Sequence, residues 1–142
     1  MAASSVFGPS RARRIALDLR YALFALVYIA MLSWLSSHPE PKAPGSGALA
    51  QLAINLYHLP LYAGLGFFVL EAISRGQGMA SHRWTRAGVT IVVTGVIAAL
   101  DEWHQRYVPG RDPSFSDLFL DLAGVACLLL ACGLGTPRES RR

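Results

Sequence analysis

The chain has 142 residues, enough for one domain, with a formal net charge of +4. Hydrophobic residues make up 53% and charged residues only 15%, and the mean hydropathy is +0.37. Ordinary soluble domains carry roughly 25% charge, so this balance excludes a disordered chain and argues against a soluble enzyme domain. Two cysteines exclude a secreted disulfide scaffold. A small integral membrane protein fits best.

Four charge-poor stretches follow in chain order. Nineteen uncharged residues separate Arg20 from Glu40, and 28 separate Lys42 from Glu71. Only 14 separate Arg86 from Asp101, and 16 separate Asp121 from Arg138. A membrane helix needs roughly 20 residues. The last two stretches reach that length only by taking acids in with them: Asp101 and Glu102 in the third, Asp117 and Asp121 in the fourth. The expectation is an all-α chain, a single membrane domain over 1–142, with helices at roughly 17–36, 48–72, 86–106 and 115–135. Short buried helices of a soluble bundle are the rival, and the first two apolar runs weigh against it.

Ten of the 13 basic residues lie in the N-terminal arm, the second loop and the C-terminal tail. The positive-inside rule then places both termini in the cytoplasm, in the inner (cytoplasmic) membrane, with four spans. Ala48-Leu49-Ala50 has the form of a signal cleavage site. It lies too far past the first apolar core, beyond Pro39, Pro41 and Pro44, so an uncleaved first helix is expected. The basic tails carry no interleaved aromatics of the kind nucleic-acid grooves use. They read as topology signals and contacts with membrane lipids, and no nucleic-acid partner is expected. Trp34, Trp103, Tyr107 and Tyr28 read as interface anchors. Cys127 and Cys132 read as small apolar fillers, and Gly64, Gly66, Gly88 and Gly95 as points of close helix contact.

The polar residues converge on the outer side. On one helix Asp101, His104 and Gln105 share a face, three and four residues apart. On the next, Asp117, Asp121 and Gly124 do so. The loop between, with Pro109-Gly110-Arg111 and Pro113, is short, so these helices are antiparallel neighbours. Asn55 and His58 fall near the outer end of the second span, where Pro60 is expected to kink or loosen it. Asn55, His58, Asp101, His104, Gln105, Asp117 and Asp121 are thus expected in one outer-leaflet pocket.

Charged groups at the membrane centre cost about 2.5–3.5 kcal/mol each. The acids therefore need a cation, shared protons or water. Arg111 and Arg106 are the available protein cations. A carboxylate-held divalent metal, or zinc on His58 or His104, is chemically possible. No metal-ligand spacing is present, so no metal or cofactor is assigned. Glu102 and Arg106, four apart, read equally as an interfacial ion pair. Asp117 reads equally as a helix cap with Ser114 or Ser116. Asp101, Asp121 and His58 are the catalytic candidates if there is chemistry.

These residues bring a family into view. Asp101-Glu102-x-x-Gln105, then Pro109-Gly110-Arg111, then Asp117, Asp121 and Gly124, with His58 and Tyr62 before the Gly64–Leu70 run, resemble the VanZ-like family of small membrane proteins. The resemblance spans about Tyr21 to Gly135. It implies an association with resistance to glycopeptide antibiotics, teicoplanin in particular, and maps the family's polar motif onto Asp101, Glu102, Gln105, Arg111 and Asp117. The fourth span often carries Asn near the position of Asp121.

Two functions follow as expectations. One is a cell-envelope protein whose pocket binds a lipid headgroup, a lipid-linked wall precursor or a glycopeptide. Arg111 would then meet phosphate or carboxylate. The other is a membrane enzyme acting on a lipid-like substrate by carboxylate acid/base chemistry. Transport is a third and thinner reading, since no inverted repeat is evident.

Overall fold

A computed structural model describes residues 17–39, 49, 53, 55–75, 83–111 and 114–133. The basic tails, Lys42, Pro41, Pro44, Ala48, Ala50 and Pro113 lie outside these residues. The protein is all-α. Among the described residues four helices are given in full: α1 (Leu19–Ser36), α2 (His58–Arg75), α3 (Arg83–Gln105) and α4 (Phe115–Ala131).

Each boundary has a local cause. Asp18 caps α1 by accepting from Arg20 N at 3.0 Å. The expected second helix over 48–72 is interrupted at Leu56–Tyr57, which form a turn. Pro60 is the reason: it has no N–H to offer Leu56, and its ring crowds that carbonyl. The helix resumes at His58, with Pro60 in the first turn of α2. Ser114 caps α4, its hydroxyl accepting from Ser116 N at 3.1 Å. The fourth helix stops at Ala131, short of the expected 135, with Cys132 as its cap and Gly133 at φ 69°.

α2 packs most closely against α4, and also against α1 and α3. It contributes Tyr62, Leu65, Val69, Leu70 and Ile73 to the core. α3 buries a stripe of small residues, Ala87, Thr90, Thr94 and Ala98, which lets its neighbours come near. Gly124 marks the closest approach. A Cβ there would stand 2.2 Å from the carbonyl oxygen of Leu59, so α2 and α4 touch backbone to backbone. Gly64 lies beneath the Tyr28 ring, and that ring stacks on Phe68. Tyr28 is therefore a packing residue and not the expected interface anchor. Gly88 faces open space, and Gly95 makes only ordinary contact with Leu122. Cys127 and Cys132 are exposed thiols, not buried fillers.

Two helices, α1 and α3, are long and apolar enough to cross a membrane. α4 has 17 residues, about 26 Å at 1.5 Å per residue. α2 begins on His58 and ends on Glu71 and Arg75, which dilutes its apolar run. Only 17% of α1 and 22% of the α3 window are buried, whereas the core helix of a soluble bundle would be mostly buried. The outer faces carry Leu19, Leu23, Leu26, Val27, Trp34, Val92, Val96, Trp103, Phe119 and Leu130, all more than half exposed.

Candidate functional site

The polar residues assemble at one end of the bundle, where α1 and α3 finish and α2 and α4 begin. They form several paired contacts, and His58, Asp101 and Gln105 line one small cavity while Asp101 and His104 line a cleft. Two rungs cross to α4, one from Asn55, which precedes the Leu56–Tyr57 turn and α2, and one from His58 at the start of α2. Asn55 Nδ2 donates to Asp117 Oδ1 at 2.6 Å, and His58 Nδ1 lies 2.8 Å from Asp121 Oδ1. All four residues are buried. Both helices run inward from this end. Passing the Leu56–Tyr57 turn on one side and one helical turn of α4 on the other carries the first rung to the second, and Leu59 then meets Gly124.

Between α1 and α3 a different acid is satisfied. Asp101 Oδ2 accepts from Ser36 Oγ at 2.7 Å and from Gln105 Nε2 at 3.1 Å. Gln105 is 1% exposed and Asp101 half-buried. His104 is turned outward, yet its Nε2 lies 3.2 Å from Ser37 Oγ. Asp101 and His104 thus face α1, while Asp117 and Asp121 face α2.

Two expectations about charge pairing change. Glu102 makes no ion pair with Arg106. Its Oε2 accepts from Ser114 N at 3.0 Å, which ties α3 to the start of α4. Asp117 is not the cap of α4, because Ser114 fills that role and frees the carboxylate to cross to Asn55. Arg111 is committed inside the protein as well. Its Nε donates to His38 O at 2.9 Å and its Nη2 to Leu35 O at 3.1 Å, with Nη1 3.4 Å from the Tyr57 hydroxyl. A helix C-terminus leaves carbonyls unmatched and negative. A forked cation is well suited to hold both.

Compared with family models, curated proteins and solved structures, the chain matches none.

The site therefore stands on its geometry. A cleft of about 400 Å³ opens between α1, α2 and α3. Ile29, Leu32, Ile97 and Leu100 make its apolar walls, and Ser33, Ser37, Tyr62, Asp101 and His104 its polar part. A second cleft, of about 230 Å³, lies between α3 and α4 beside Glu102, Arg106 and Ser114. Asp117 and Asp121 line neither cleft. Among the described residues no group of three or more His, Cys, Asp or Glu side chains could hold a metal ion.

Ser36, Ser37 and Tyr57 belong to this constellation and were not singled out from the sequence. The available signal was weak. Ser33, Ser36 and Ser37 end an otherwise apolar helix, but such serines commonly bond their own backbone. Ser37 does bond Ser33 O, at 2.7 Å.

Proposed function

We propose that this is a VanZ-like protein of the cell envelope, with four spans in the cytoplasmic membrane and both termini inside. Its α1–α2–α3 cleft binds the head end of a lipid-like amphiphile: a lipid headgroup, a lipid-linked wall precursor or a lipid-bearing glycopeptide such as teicoplanin. The observation that carries this is the cleft itself. Apolar walls on lipid-facing helices suit a chain, and Asp101, His104 and the serines beside them suit a polar head. Arg20 and Arg75 support the orientation. α1's start is tied to α2's end by Asp18 N donating to Ala72 O at 2.9 Å, and Arg75 stacks on Tyr21. These arginines thus stand at the end opposite the acids.

A second reading, a membrane enzyme, draws on one specific contact. With Asp121 ionised, His58 Nδ1–H donates to it, which leaves Nε2 as the lone-pair nitrogen. The base would then be His58 oriented by Asp121, instead of a bare carboxylate.

The test is a mass-spectrometric profile of membrane lipids and wall precursors. It compares a deletion strain, wild-type rescue and Asp101→Asn rescue at matched protein levels. The binding reading expects an unchanged profile, together with an amphiphile that co-purifies with wild type and is depleted from Asp101→Asn. A species that accumulates on deletion and is cleared only by wild type would replace it with the enzyme reading. An unchanged profile with nothing co-purifying would overturn both.

A further inference from the structure

Beside the cleft lies a much smaller cavity of about 20 Å³, whose walls include Tyr57, His58, Tyr62, Asp101, Gln105 and Arg111. His58 is 4% exposed and Tyr62 2%. The His58 Nε2 and the Tyr62 hydroxyl are both buried without a hydrogen-bond partner among the described residues. Buried polar groups are rarely left in that state. The other polar groups on these walls are already engaged: Asp101 by Ser36 and Gln105, and Arg111 by α1 carbonyls. Asp121, which holds Nδ1, is not on the wall, which leaves Nε2 as the ring nitrogen available to a group in the cavity.

The volume and the two orphan groups define what fits. A single oxygen-sized group needs roughly 10–15 Å³ of such space. The Tyr62 O–H needs an acceptor, and with His58 neutral and its Nδ1–H on Asp121, Nε2 needs a donor. A carbonyl or carboxylate cannot donate to Nε2. An ammonium donates but leaves the phenol proton unmatched. A hydroxyl does both. We infer that this cavity is a hydroxyl-binding site, in which Tyr62 donates to the bound oxygen and the hydroxyl proton is directed at His58 Nε2. The cavity shares Leu32, Tyr62 and Asp101 with the cleft. The hydroxyl therefore has two sources, a water molecule or the head of an amphiphile seated in the cleft. Only the second source rests on the proposed function.

Histidine-15N protein in bilayer nanodiscs tests this, with His58 assigned against a His58→Gln variant. In discs of phosphatidylcholine alone, whose head group has no hydroxyl, magnetisation is expected to pass from water to the His58 ring. Its Nε2 should resonate as an unprotonated acceptor. Tyr62→Phe, which keeps the ring, should cut that transfer severalfold and move Nε2 toward the unbonded position. In discs containing phosphatidylglycerol, whose head group is a diol, transfer from glycerol protons would support the lipid source and the cleft reading together. Transfer from water alone would support the hydroxyl site and count against a hydroxylated lipid. No transfer in wild type, a ring proton on Nε2, or undiminished transfer in Tyr62→Phe would overturn the site.

Discussion

Asn55 and Asp117 show how the end of this bundle accommodates acid. A carboxylate in the first turn of α4 already gains from the helix N-terminus, and Asn55, just before α2, adds a 2.6 Å hydrogen bond. Truncating Asn55 leaves a buried acceptor unmatched, which costs roughly 1–3 kcal/mol. Asn55→Ala and Asp117→Ala, measured singly and together, should therefore show a coupling of about 1 kcal/mol or more in unfolding free energy. Strict additivity would mean that the contact stabilises nothing. Asn55, His58, Asp117 and Asp121 were all legible as an inward-facing set, because their spacings of three and four residues put each pair on one helix face. Which residue meets which was not legible. Spacing gives a face, and pairing depends on how far one helix slides along another.

That slide is fixed at the level of the helices. Gly124 against the Leu59 carbonyl leaves no room for a side chain, and the far end of the clash is backbone, which cannot rotate away. Gly124→Ala should force α2 and α4 apart and cost about 3 kcal/mol, at the upper end for overpacking. It should also lengthen the His58–Asp121 contact one turn away. A thermal-melt series in detergent with Gly124→Ala checks this, and a wild-type melting temperature would show that the close approach is not required. The helix limits were partly readable. The ends of α1 and the start of α4 fall where the capping residues and apolar runs put them. The second span is helical at 49, 53 and 55, but a turn at Leu56–Tyr57 divides it, and Pro60 stands in the first turn of the helix that follows. The fourth was read to Gly135, although a cap at Cys132 and a left-handed Gly133 end it earlier.

For the whole molecule, the exposed apolar faces and the placing of Arg20 and Arg75 at the end opposite Asp101, Asp117 and Asp121 predict sidedness. Ser37→Cys and Arg83→Cys, each in a chain whose Cys127 and Cys132 are replaced by Ala, should react differently in intact cells. A membrane-impermeant maleimide should label position 37 from outside and position 83 only after permeabilisation. Labelling of both from the same side would overturn the four-span arrangement.

The sequence by itself determined that the protein is helical and apolar, and it marked the polar residues of one end. Those properties are local: run length, charge spacing, and caps such as Ser114. Only the tertiary structure decided that Asp101 turns to α1 while Asp117 and Asp121 turn to α2, and that Arg111 holds the end of α1. It also decided that His58 keeps one nitrogen on Asp121 and leaves the other buried without a partner, beside a small cavity. Each of these depends on the rotation and slide between packed helices, which small residues such as Gly124 set through backbone contact and which no spacing along a single helix encodes.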